Sequence, residues 1–233
     1  MKYGKIVHGR FVRKVNRFIA EVIVDVDGVV KEQVHIKNTG RLKELLQPGA
    51  EVLLEQSDNP NRKTRFSLIA VVKNGSWVNI DSQAPNVVAF EALKSGKLAE
   101  EFGLVEVVKR EVTYGDSRFD LYFEMGSDKG FIEVKGVTLE ENGIAMFPDA
   151  PTARGRKHVL ELIGAVHEGY TAAILFVIQM KGCRAFTPFR EMDAAFADAV
   201  CEASRQGVRI LAYDSIVKED EIVLGEKVLV NLL

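Results

Sequence analysis

Three residues near the middle of the chain, Asp120, Glu133 and Lys135, have the types and spacing to handle a phosphodiester. Residues two apart in a strand share a face, so Glu133 and Lys135 point one way while Ile132 and Val134 point the other, into a core. Asp120 lies one turn upstream in Arg118-Phe119-Asp120-Leu121-Tyr122-Phe123-Glu124, where hairpin pairing would set its carboxylate beside Glu133. Two such carboxylates form a hard, oxygen-rich site for Mg²⁺ or Mn²⁺, and the lysine ammonium can steady an attacking water or the charge on a phosphorane. The tripeptide alone favours the plainer reading, a solvated strand face with a cross-strand salt bridge. Its context favours chemistry: it is the only acidic-x-Lys in the chain, and an aspartate precedes it on a neighbouring strand.

A second group follows. Arg154, Lys157, His158 and Glu161 recur at three and four, one stripe of a helix whose apolar stripe is Val159, Leu162, Ile163 and Val166. With its N-terminal end at the site, that helix would present Arg154, Lys157 and His158 to a phosphate. The alternative is a solvated face with Lys157 paired to Glu161 and an ordinary surface histidine. In the Pro-stiffened loop Phe147 to Thr152, Asp149 reads as an accessory acid or a turn former. Earlier, Arg10, Arg13, Lys14 and Arg17 alternate with Phe11, Val12 and Phe18, and Arg62, Lys63 and Arg65 form a basic loop; both suit phosphates and stacked bases, or simply solubilise a strand.

The elements that must position these groups fall into two sets. Strand signals over 18–26 and 29–36 flank an Asp27-Gly28 hairpin turn, and strands recur at 52–55, 65–72 and 77–80, with a short helix over Arg41 to Leu46. Five short strands and a helix predict a small OB-like barrel, a fold that holds single strands or oligosaccharides on one face. From Ser82 the period changes. A helix from Ala84 to about Glu101 precedes strands at 104–113, 118–124 and 130–137, then helix 153–167, strand 172–178, helix 191–206 and strand 208–213, with a possible edge hairpin over 222–230. The expected organisation is an all-β domain over 1–81 and an α/β domain over 82–233.

With 233 residues, 31 basic and 33 acidic, the net charge of −2 excludes a chain held on nucleic acid by bulk charge alone. The balance hides an asymmetry: residues 1–81 carry 14 Lys/Arg and 9 Asp/Glu, a formal +5, and residues 82–233 carry 17 and 24, a formal −7. No phosphate-loop, dinucleotide-fold, zinc-type or nucleophile-elbow signature is present. Two distant cysteines, Cys183 and Cys201, point to a reducing compartment, and the longest strongly apolar run, 172–178, is too short for a membrane span. The expectation is a soluble cytoplasmic protein with no membrane partner.

Asn38-Thr39-Gly40, Arg118-Phe119-Asp120, the block Ile132 to Leu139, the block Phe147 to His158 and Gly207 to Tyr213 resemble the sugar fermentation stimulation protein family over almost the whole chain. The resemblance implies a DNA-binding protein with a link to sugar-utilisation genes, and a second domain of the restriction-endonuclease-like kind, whose pattern is an Asp, a spacer and Glu-x-Lys. It assigns nuclease roles to Asp120, Glu133 and Lys135, with Asp120 and Glu133 holding the metal. Glu91 resembles an accessory metal-binding acid of that superfamily, although a helical pair with Lys94 explains it equally. The superfamily's Pro-Asp is Phe119-Asp120 here, and the only Pro-Asp, Pro148-Asp149, follows Glu-x-Lys. The leading expectation is a DNA-binding, Mg²⁺- or Mn²⁺-dependent nuclease. Its rivals are a non-catalytic DNA-binding regulator of sugar-utilisation genes and a saccharide or small-molecule binder.

Overall fold

The computed structural model describes residues 1–25, 28–38 and 40–232. Val26 and Asp27, where the expected hairpin turn begins, and Thr39 of Asn38-Thr39-Gly40 lie outside the described residues.

The first unit contains β1 (Ile6–Lys14), β2 (Ile19–Asp25), β3 (Val29–Ile36), β4 (Glu51–Gln56), β5 (Phe66–Lys73) and β6 (Ser76–Asn79), ordered β3-β2-β1-β4-β5-β6. Parallel pairing of β3 with β5, through His35↔Ser67 and Ile36↔Leu68, closes five of them into a barrel and β6 extends from β5. Alternation fills the interior: Val22, Val24, Val34, Ile36, Val52 and Leu54 are buried, while Ile23 and Val30 face outward. β1 went unread in the sequence because its polar alternants, His8, Arg10 and Lys14, give the segment the look of a basic patch.

The helix expected over Arg41 to Leu46 is a single turn. The amides of Leu45 and Leu46 both bond to the Leu42 carbonyl, and Pro48-Gly49 follows too soon for another turn. Leu42, Leu45 and Leu46 are buried in the core, so burial rather than helix propensity fixes this segment between β3 and β4.

The second unit opens with α1 (Ala84–Lys94) and α2 (Ala99–Phe102), two pieces where one helix was expected. Gly96, at φ +79°, breaks the helix, and Ser95 turns its hydroxyl onto the Ala92 carbonyl. β7 (Val107–Tyr114), β8 (Ser117–Met125) and β9 (Asp128–Val137) form an antiparallel meander. Next come β10 (Leu139–Glu141), β11 (Ile144–Phe147), α3 (Ala153–His167), β12 (Thr171–Ile178), β13 (Ala185–Pro188), α4 (Ala194–Arg205), β14 (Arg209–Val217), β15 (Ile222–Lys227) and β16 (Leu229–Val230). The main sheet has the order β15-β14-β12-β9-β8-β7, with β12 parallel to both β9 and β14.

β12 is buried on both faces, as a central parallel strand must be: Ala173, Leu175 and Val177 pack toward α1, and Ile174 and Phe176 join the core of α3 and α4. A small second sheet, β10-β11-β13-β16, had no readable signal because its strands are two to four residues long. The expected terminal hairpin is divided: β15 edges the main sheet and β16 joins the small one.

The two units share more than a connection. Residues 1–3 lie on the α/β unit, where the Met1 ammonium bonds to the Ile222 carbonyl, Lys2 bridges to Glu221 and the Tyr3 amide bonds to the Asp220 carbonyl. The chain then enters β1 and returns at Ile80 to Ala84.

Candidate functional site

The site grows from an interruption in the meander. β8 and β9 pair in register as far as Leu121↔Ile132, and one residue further on the ladder stops. There Asp120 turns its side chain into the gap, with Oδ2 accepting from the Val134 amide at 2.8 Å and Oδ1 from Asn86 Nδ2 at 2.7 Å. The carboxylate thus takes an amide that a continuous ladder would have used. Faces switch across it: Leu121 packs in the core of α1 and Phe119 in the core of α3. Asn86, on the first turn of α1, is a site residue the sequence reading missed, since Ala84-Pro85-Asn86 reads only as a helix start.

Glu133 is only 2% exposed, which overturns the solvated strand face that its tripeptide alone favoured. One oxygen, Oε1, lies 2.5 Å from Lys135 Nζ and 2.5 Å from His158 Nδ1. The other, Oε2, is buried with no hydrogen-bond partner among the described residues. A bare carboxylate oxygen away from water is unfavourable by several kcal/mol in order of magnitude unless a donor or cation reaches it.

The two carboxyls titrate in opposite directions. Burial, then the neighbouring Glu133 charge, pushes Asp120 above the ordinary aspartate range. Burial acts the same way on Glu133, but the His158 hydrogen bond and the Lys135 charge outweigh it and hold Glu133 low. Acid neighbours that repel each other are what a bound divalent cation relieves.

The N-terminal end of α3 completes one wall. Thr152 caps the helix by accepting from the Gly155 amide at 3.0 Å, and Asp193 holds the Thr152 amide at 2.8 Å while capping α4 through the Phe196 amide. A cleft of about 230 Å³ results, lined by Asp120, Glu133, Lys135, Arg154 and His158 among others.

The remaining expected residues are placed as follows. His158 is buried with its ring on Glu133, so it supports a carboxylate instead of presenting itself to a phosphate on the surface. Lys157 lies outside the cleft, its ammonium on the Asp116 carbonyl and near Glu161, in an adjoining hollow that also borders Arg118 and Arg154. Glu91 is not brought to the site. Its half-exposed carboxylate binds the Met1 ammonium at 2.5 Å and does not line the cleft, whose further acid is Glu111, paired with Arg118. Among the described residues no group of three or more His, Cys, Asp or Glu side chains converges on one metal position.

The basic residues of the barrel do not form one patch. Arg13 is bonded twice to Glu21, Arg10 reaches the Gly49 carbonyl, and Lys14 holds the carbonyls of Gly40 and Arg41. Arg17 lies over Phe18 and lines a pocket at the junction of the two units. Arg62, bonded to Ser67, belongs with Lys63 and Arg65 to the loop between β4 and β5. That loop follows Gln56, whose amide bonds beside the start of β1, whereas Lys14 and Arg17 lie at or beyond its end. Asp149 is also at the junction pocket, not in the cleft. No helix among the described residues is long and apolar enough to cross a membrane.

Comparison with known proteins covers both units. Residues 12–80 match the model of the SfsA N-terminal OB domain, and residues 83–221 that of the sugar fermentation stimulation protein RE domain. A sugar fermentation stimulation protein homolog of Alkaliphilus oremlandii is 57% identical over 233 residues, covering 98% of this chain and 97% of the relative. One from Ruminiclostridium cellulolyticum is 51% identical over the full length of both. Among solved structures, Pyrococcus furiosus SfsA in complex with Ca²⁺ superposes with a TM-score of 0.88 at 30% identity, covering 99% of this chain and 98% of that one.

Proposed function

The chain belongs to the sugar fermentation stimulation protein family, and from that premise we propose that its cleft is a divalent-metal-dependent phosphodiesterase site acting on DNA. The observation that carries the reading is Glu133 Oε2, buried and unpartnered beside an aspartate whose ionisation the fold disfavours. Asp120 and Glu133 would hold Mg²⁺ or Mn²⁺. Two carboxylates suffice, because Mg²⁺ is commonly held by one or two of them with the remaining positions filled by water and substrate phosphate. The Ca²⁺ complex of the Pyrococcus protein supports a site for a hard cation in a relative of the same fold. When bound, the ion supplies polarisation of the phosphoryl oxygen and acidification of water.

The chain's own residues do the rest. Lys135 and His158 together fix Glu133 Oε1, which leaves Oε2 as the free ligand atom. Lys135, on the more open side of the pair, lies where negative charge would develop on the transferred phosphoryl group. Arg154, on the first turn of α3, is set to bind an adjoining phosphate with help from the helix amides. Asn86 and the Val134 amide hold Asp120 in place.

Incubation of DNA and RNA with the protein and Mg²⁺ or Mn²⁺, beside Glu133→Ala and Lys135→Ala, tests the proposal. Cleavage by the native protein and not by the variants is expected; equal cleavage by all three overturns it. The place of Glu91 outside the cleft favours one alternative, a DNA-binding regulator without turnover. Metal titration separates the two: saturable binding lost in Asp120→Asn belongs to the enzyme.

A further inference from the structure

A second cavity, of about 270 Å³, lies where the barrel meets the α/β unit, and it is continuous in chain with the cleft. β9 supplies Glu133 and Lys135 to the cleft and then Gly136 and Val137 to the cavity; Phe147, Asp149 and Ala150 line the cavity, and the chain runs on to Thr152 and Arg154 in the cleft. Three residues of strand span about 10 Å. A phosphate in the cleft therefore has the base of its own or the adjoining nucleotide within reach of the cavity.

Two polar groups lining this space, Gln179 Oε1 and the Asp149 carboxylate, are acceptors without a donor among the described residues. Gln179 is 2% exposed, and its Nε2 is committed to Asn79 Oδ1 at 2.8 Å and the Asp81 carbonyl at 3.0 Å. Asn79 Oδ1 also accepts from the Asp81 amide, while its Nδ2 donates to the Tyr3 hydroxyl, so the orientation of both amides is settled by their partners. Gln179 Oε1 is left over Gly136 with no donor among the described residues. A Cβ at Gly136 would come 2.6 Å from that oxygen and 2.7 Å from Pro85 Cγ. The Asp149 carboxylate likewise accepts no hydrogen bond among the described residues, and a Cβ at Gly40 would lie 2.6 Å from its Oδ2. Two glycines thus leave backbone where side chains would close over two free acceptors.

We propose that the junction cavity is a base-reading pocket for an unpaired nucleotide with a donor-rich edge, guanine above all. Guanine offers N1–H and an exocyclic amine side by side, the pair a carboxylate accepts with two hydrogen bonds; thymine has a single ring N–H flanked by carbonyls, which oppose Asp149 and Gln179. The volume admits one base and its sugar, not a duplex, so the base enters from a strand end or an extruded position. Arg17 at the rim and Lys14, within electrostatic reach of Asp149, offset the carboxylate's repulsion of the backbone. This inference rests on the nucleic-acid reading of the cleft and adds to it a choice of base made by residues outside the cleft.

The test is equilibrium binding of the single strands d(TTTGTTT) and d(TTTTTTT) to the full chain in Ca²⁺, with strands checked as intact, for the native protein and Asp149→Asn. The guanine strand is expected to bind about tenfold tighter to the native protein, the discrimination typical of one bidentate base contact. In Asp149→Asn the preference falls to within about twofold, and affinity for the thymine strand does not fall, which also reports an intact fold. No preference in the native protein, or a preference that survives the substitution, overturns the proposal. So does an equal loss for both strands, which assigns Asp149 to the general grip. A guanine preference without metal-dependent cleavage removes the nuclease reading alone, cleavage without a preference removes the base pocket alone, and failure to bind either strand removes both.

Discussion

Glu21 in the barrel and Glu133 in the α/β unit are both buried strand carboxylates set between two basic side chains. Glu21 is finished: Arg13 takes one oxygen at 2.8 Å and the other at 2.9 Å, and Lys31 adds a third contact at 3.1 Å. Glu133 is not, since Lys135 and His158 both crowd onto Oε1 and leave Oε2 bare. The cations around Glu21 reach in from the exposed surface, whereas Lys135 and His158 are themselves largely buried. Pairing a carboxylate fully makes a structural fastening. Pairing half of it, out of water, leaves a ligand atom aimed and undersupplied, and that distinction separates a salt bridge from a site better than charge counting does.

The contrast is easiest to break with cleavage rates. Glu133→Ala, Asp120→Asn and Lys135→Ala are each expected to lower metal-dependent DNA cleavage by about 10²–10³-fold or more, while Glu21→Ala leaves it essentially unchanged; a nuclease assay with all four variants decides. Next in size is metal stabilisation. At about 100 times its Kd a cation contributes about 2.7 kcal/mol, which raises Tm by roughly 5–10 °C for a chain of this length. Thermal melts with and without Mn²⁺ are expected to show this rise in the native protein and Glu21→Gln, and not in Asp120→Asn.

A smaller effect concerns pH in the metal-free protein. Glu133 is held low, so its contribution to stability is present above the ordinary glutamate value of 4.5 and is lost as pH falls through its lowered pKa. Asp120 is raised, so between 3.8 and its raised pKa the folded chain binds more protons than the unfolded one, and stability falls as pH rises through that window. Urea midpoints from about pH 2 to 7 are expected to show Asp120→Asn gaining on the native protein as pH rises above 3.8, with Glu133→Gln losing its dependence below 4.5. The smallest effect sharpens the other half: Arg13→Ala lowers the urea midpoint slightly, as exposed partners do, with no change in cleavage.

How much of this was readable depended on distance along the chain. α3 was legible because Val159, Leu162 and Val166 repeat at helical spacing; the Thr152 cap that fixes its start emerged only from the structure. The strands carrying Asp120 and Glu133 were legible because period two survives in Phe119, Leu121, Phe123 and in Ile132, Val134. Proximity of the two carboxylates followed from one short turn. The interruption between β8 and β9 did not, because it depends on Asn86 from α1 and on a change of packing face that no local pattern encodes. His158 looked like a surface residue since its partner is 25 positions away. Glu91 had a helical neighbour, Lys94, and a superfamily role to choose from, and the fold gave it to the chain's own N-terminus instead.

That N-terminal contact has a mechanical meaning. A barrel joined to a second unit only near Ile80 would swing on one strand like a door. Here residues 1–3 are fastened to β15 and the loop before it, and the chain crosses again at 80–84, with Tyr3, Asn79 and Gln179 linked between the crossings. Two separated attachments resist rotation as a bracket does, so a strand bound as proposed would meet a gauge of fixed width, not a jaw that closes on it.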